Sequence, residues 1–201
     1  MKGHAGMGIE RGMLKDLSNK DLYISMYLSQ FLLLAIGALC AFVFGDGFRN
    51  MLTNLQLDWY NGLWQGSVFA VCALGVNALV YMVFSKKSLD DGGLNERVFA
   101  QMSPLHILFF CAVVAFCEEW LFRAVLQQFF GLPIASVLFA FVHFRYVKKP
   151  VLFTYVLILS VSLGLFFEKT GNFVAVVGAH FFINTVLGFI LRYKKKVIRG
   201  R

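Results

Sequence analysis

The chain has 201 residues, of which 59% are hydrophobic and 15% charged, with a mean hydropathy of +0.70. Soluble domains are nearer half apolar and a quarter charged, so these values exclude a soluble globular enzyme and describe a polytopic membrane protein. The net charge of +8 does not point to nucleic acid, because the basic residues gather at span ends and in the tail, where they orient a membrane protein.

Residues 1–21, with Lys2, Arg11, Lys15 and Lys20 among Gly and Met, form a polar N-terminal segment. Leu22 to Phe44 carries no charge. That run is too long for a signal-peptide core and lacks a small-residue cleavage site, so it reads as a retained first span. Gly45-Asp46-Gly47 closes it with a turn signal. Trp59 to Phe84 makes a second uncharged span, with Trp59, Tyr60 and Trp64 as an interfacial aromatic belt. Gln65 and Asn77 inside it are expected to bond to neighbouring helices. Ser85 to Ser103 is a polar loop around Gly92-Gly93, and it separates residues 22–103 from a second half, 104–192. That half holds a third span to Phe130, a short fourth from Gly131 to Phe144, a fifth from Pro150 to Phe167 and a sixth from Asn172 to Leu191. A basic tail, 193–201, follows. The expected fold is an all-α bundle of about six transmembrane helices. Cys40, Cys72, Cys111 and Cys117 all fall inside apolar spans without ligand spacing, as small buried hydrophobes do.

Charge asymmetry gives the orientation. With six spans, sixteen Lys and Arg fall on one side and only Arg49 and Lys169 on the other, with Arg123 inside a span. Cytoplasmic loops hold the basic excess, so both termini are expected in the cytoplasm. His106, at the cytoplasmic end of the third span, reads as interfacial and without a partner motif.

Three charges stand inside the third span, in Phe116-Cys117-Glu118-Glu119-Trp120-Leu121-Phe122-Arg123. Each costs at least ~2.5 kcal/mol near the bilayer centre, so they require partners and a purpose. Glu119 and Arg123 are four residues apart and share a helix face, whereas Glu118 points about 100° away. Arg123 therefore neutralises Glu119 as a buried structural pair, and Glu118 is left for chemistry. Two further pairs have the same spacing, Phe139-x-x-x-His143 in the fourth span and His180-x-x-x-Asn184 in the sixth. Counted at ~1.5 Å per residue, Glu118, His143 and His180 reach one level of the membrane, with Asn184 a turn further in. Phe139 is read as core packing.

The ordered trio Glu-Glu-x-x-x-Arg, Phe-x-x-x-His and His-x-x-x-Asn resembles the CPBP family of intramembrane proteases, which includes the type II CAAX prenyl endopeptidases and the bacterial Abi proteins. Residues Gly164 to Asn172 ahead of His180 resemble that family's link between its last two core helices. The resemblance covers about residues 104–192. It implies a glutamate-dependent endopeptidase acting on a membrane-associated protein or peptide precursor, with no cofactor. Glu118 would take a proton from a water also held by His143, and His180 and Asn184 would donate to the oxyanion. Glu119 and Arg123 would fix the helix, and Phe139 would line the site. Two alternatives stand beside this reading. One is a membrane adaptor of the same fold that binds a partner without cleaving it; the other is a zinc peptidase with Glu118, His143 and His180 as ligands. The short chain looks like a bacterial member, in the plasma membrane.

Overall fold

The computed structural model describes residues 18–44 and 55–199, with side chains through Lys194. The turn signal at Gly45-Asp46-Gly47, Arg49 and residues 1–17 lie outside the described residues. In chain order the elements are α1 (Asn19–Phe44), α2 (Trp59–Val83), a short α3 (Leu94–Gln101), α4 (Pro104–Glu119), a π-helical stretch (Trp120–Leu126), α5 (Gln127–Val142), a 3-10 turn (Phe144–Tyr146), α6 (Pro150–Thr170) and α7 (Phe173–Arg199). Among the described residues there is no β-strand, only an isolated bridge between Gln56 and Asn172. The protein is an all-α polytopic bundle, as its composition requires.

Local chemistry sets the helix starts. Ser103 accepts from the His106 amide at 3.2 Å and Pro104 occupies the first turn of α4, where its missing N–H is no loss. Asp58 caps α2 by accepting from Asn61 N at 3.1 Å. α3 arises inside the polar segment read as loop, because Val98 is fully buried and Phe99 packs toward Gly188 of α7.

Five helical stretches are long and apolar enough to cross a membrane, and one of them is the 39-residue run Pro104–Val142. As a straight helix that run would rise ~58 Å, about twice a hydrocarbon core. It is not straight. Gly131, at φ 80° and ψ 166°, turns the chain back, a conformation open to glycine because it lacks Cβ. The Phe122 and Phe139 rings then meet with centroids 5.0 Å apart, where a straight helix would hold them ~25 Å apart. The third and fourth spans of the sequence reading are thus the two arms of a hairpin. The second arm, 132–142, rises only ~16 Å and delivers His143 inside the bundle's depth.

α7 is the inner helix: half of its span is buried (50%), against 17% for α1 and 11% for α2. α2 approaches it through small residues. A Cβ on Gly66 would lie 2.6 Å from the Ala175 carbonyl oxygen and 2.9 Å from Ala179 N, so the two backbones are in contact there. Asn77 Nδ2 donates to Tyr155 Oη at 3.0 Å, the interhelical bond expected of it. Gln65 departs from that expectation, since its Oε1 is buried without a hydrogen-bond partner among the described residues. His106 stands in the first turn of α4 and has partners that its sequence context did not suggest: its Nε2 lies 3.0 Å from Tyr27 Oη and Tyr23 meets its ring edge-on. All four cysteines are free. Cys111 and Cys117 are buried and Cys40 is half-buried, but Cys72 is exposed and is not a core residue.

Candidate active site

α4 brings Glu118 and Glu119 to its last turn, and the chain passes directly into the π-helical stretch that carries Arg123. Its wide turns are closed by Gln127 N, which donates back to Phe122 O; such stretches are rare and concentrate at functional sites. Every residue from Cys117 to Gln127 is buried. Exposure falls to 0% for Glu119 and Arg123 and stays at 7% for Glu118, so each charge must find its partner within the bundle.

The partners form a chain. Arg123 Nη2 donates to Ser160 Oγ of α6 at 2.9 Å, and Arg123 Nε donates to Glu119 Oε2 at 2.9 Å. Glu119 Oε1 accepts from His180 Nδ1 of α7 at 2.7 Å. An ionised carboxylate only accepts, so Nδ1 carries the proton of that bond. The other face of the imidazole is then fixed as well, with Nε2 placed 3.8 Å from Glu118 Oε2. Glu119, expected to pair with Arg123 alone, therefore also holds His180. The two adjacent glutamates, pointing in different directions from one helix, reach the two nitrogens of a single imidazole.

α5 ends at His143, whose Nδ1 donates to Phe139 O at 2.9 Å. Phe139 is 3% exposed, and its ring lies 4.9 Å from the His143 ring, 6.3 Å from the His180 ring and 5.4 Å from Arg123 Cζ. It is core packing, as expected, but the groups packed on it are the site's polar side chains. Asn184 sits one turn beyond His180 on α7, half-buried, and makes no hydrogen bond to the other site residues among the described residues. Glu118, Glu119, Arg123, Phe139 and His180 are thus brought together, with His143 against Phe139 and Asn184 at the margin. Among the described residues no three His, Cys, Asp or Glu side chains group closely enough to hold a metal ion. Within the alternative zinc set of Glu118, His143 and His180, the Glu119 bond to His180 Nδ1 leaves Nε2 as the free nitrogen, 3.8 Å from Glu118 Oε2.

Sequence reasoning missed two members of this network. Gln127 donates to Gly164 O at 3.0 Å and to Glu168 Oε1 at 3.1 Å, and it continues the four-residue rhythm of Glu119 and Arg123, a signal that was available. Ser160, fully buried beneath Arg123, had none, being one serine in an apolar span.

Residues 100–186 match the type II CAAX prenyl endopeptidase Rce1-like family, and that stretch contains every residue of the site. The chain is also similar to the uncharacterized protein YpbD of Bacillus subtilis (strain 168), with 36% identity over 167 residues that cover 83% of this chain and 88% of that one. No solved structure matches. With its charged residues buried in a bundle of membrane-crossing helices, the chain belongs to the Rce1-like type II CAAX prenyl endopeptidases, a family of membrane-embedded proteases.

Proposed function

We propose that this protein is an intramembrane endopeptidase that hydrolyses a peptide bond of a membrane-associated protein or peptide precursor with water activated by Glu118 and His143. The observation that supports it best is the division of labour between the glutamates: Glu119 is tied to Arg123 and His180, while Glu118 is buried, not bonded to Arg123, and 3.8 Å from His180 Nε2. Glu118 takes a proton from water, the hydroxide attacks the scissile carbonyl carbon, and the tetrahedral oxyanion forms. Collapse breaks the C–N bond, and the proton held by Glu118 passes to the leaving amine. No covalent intermediate is needed.

His180 donates to the oxyanion through Nε2, for which it must carry both ring protons. The buried cluster then contains two carboxylates, Glu118 and Glu119, and two cations, Arg123 and His180, and is neutral as a whole. Asn184 supplies a second donor on substrate binding. Loss of one such donor commonly costs ~10²- to 10³-fold in rate. We place the site on the cytoplasmic side of a bacterial plasma membrane, with both termini in the cytoplasm, from the basic excess and the Bacillus relative.

The test compares membrane proteomes of cells carrying the wild-type protein and Glu118→Gln, looking for a fragment that disappears. An unchanged proteome would favour the adaptor reading. Purified enzyme, assayed on the substrate so found, is expected to keep its activity in strong chelators; loss restored by zinc, with about one equivalent bound, would overturn metal-independent hydrolysis.

A further inference from the structure

The loop ahead of α3 lies outside the stretch that matches the protease family, yet it reaches the site. Asp91 shapes it. Oδ1 accepts from Gly93 N at 2.8 Å and Oδ2 from Asn95 N at 3.0 Å, while the Asp91 carbonyl accepts from Arg145 Nη2 at 2.7 Å. Asn95 Nδ2 then donates to Tyr146 Oη at 3.0 Å. Two hydrogen bonds, from residues 51 and 54 positions apart in the chain, tie this loop to the 3-10 turn that follows His143. Burial pushes the Tyr146 hydroxyl up from its ordinary range, so it stays neutral and can accept the Asn95 bond.

Tyr146 in turn stacks on His143, with ring centroids 5.9 Å apart and planes 24° apart. His143 needs such support. It stands at the end of the short arm of the hairpin, half-exposed, with Nδ1 on the carbonyl of its own helix. A group that must hold an attacking water loses most of its effect when it is displaced by an ångström or so.

We propose that Tyr146, anchored by Asn95, is a positioning residue for His143, so that the first turn of α3, with the loop that leads into it, sets the orientation of this histidine through one stacked ring. The consequence for catalysis rests on the proposed function; the coupling itself does not. The chain has four histidines, so ring-labelled full-length protein in lipid nanodiscs gives a spectrum assignable by substitution. Asn95→Ala is expected to shift the His143 ring resonances and leave those of His106 in place. Tyr146→Phe, which keeps the ring and removes the hydroxyl, is expected to produce the same shift, and the double variant no more than either single one. His143 resonances that ignore Asn95→Ala, or two shifts that simply add, would overturn the proposal.

Catalysis supplies a second readout on the substrate found by proteomics. Each single variant is expected to lower kcat about tenfold, the size of one hydrogen bond's loss, with KM within about twofold. Lowered kcat without the resonance shifts also overturns the positioning role. Should the shifts occur while Glu118→Gln leaves the membrane proteome unchanged, the coupling stands and the peptidase reading fails.

Discussion

Glu118→Gln keeps the size of the side chain and removes its basicity, so it is expected to abolish cleavage while the protein inserts and resists unfolding as the wild type does. Glu119→Gln should behave differently. It leaves Arg123 as an uncompensated buried charge, and breaking such a pair costs ~3 to 5 kcal/mol, so this variant should accumulate poorly and melt early. It also takes the carboxylate from His180 Nδ1, so the double variant Glu119→Gln, Arg123→Gln should regain stability without regaining turnover. Thermal unfolding in detergent and cleavage measured on the same preparations separate the two roles; near wild-type turnover of Glu118→Gln would erase the assignment. Ser160→Ala removes the acceptor of Arg123 Nη2 beside Nη1, which is already unpaired among the described residues. A loss of ~1 to 3 kcal/mol in unfolding free energy is expected, and an unchanged melting curve would make the serine dispensable. At this scale the sequence was informative wherever spacing mattered. The four-residue step from Glu119 to Arg123 and the 100° offset of Glu118 follow from helical geometry alone. That one imidazole takes both carboxylates does not, because it depends on how α7 packs against α4.

Three devices at the level of elements give the site its shape. Gly131 converts one long apolar run into a hairpin, and its position was legible as a span boundary because an uninterrupted helix of that length would not fit a bilayer. The π-helical stretch was not legible: Trp120–Leu126 has no propensity signature, and its extra residue per turn is stabilised by the contacts of seven buried side chains. The third device is close approach. Gly66 of α2 faces backbone atoms of α7 that cannot rotate away, and α7 carries His180. Gly66→Ala is therefore expected to push the helices apart, with a cost of ~1 to 3 kcal/mol of overpacking and a fall in activity as His180 moves. Gly75→Ala on the same helix is the control, since nothing lies within 4 Å of the added carbon; its better helix propensity should leave stability unchanged or raise it by up to ~1 kcal/mol. Equal melting shifts for the two variants would mean that the α2–α7 contact does not set the packing of the bundle.

For the molecule as a whole, the question is which way it faces. Counting long apolar helices gives five, and an odd number would put the two ends of the chain on opposite sides. The hairpin at Gly131 adds a sixth reversal and returns them to one side. The contacts agree: Asn19 Nδ2 donates to Gln101 Oε1 at 2.6 Å and Arg97 Nε to Asn19 Oδ1 at 3.3 Å, while Phe99 meets Gly188 near the far end of α7. The start of α1, the α3 segment and the last turns of α7 therefore share one end of the bundle, and Arg145, bonded to Asp91, joins them. Asp58 and Asn172 meet at the opposite end. Among the described residues the first end gathers Lys20, Lys86, Lys87, Arg97, Arg145, Lys148, Lys149, Arg192 and Lys194, and the second has Lys169. Positive residues are retained in the cytoplasm during insertion, so reporter fusions after Lys87, Lys149 and Lys194 should all read cytoplasmic, and one after Gly171 should read external. A cytoplasmic signal at Gly171 or an external one at Lys149 would mean that 132–142 does not return across the membrane, and His143 could not then share a site with Glu118.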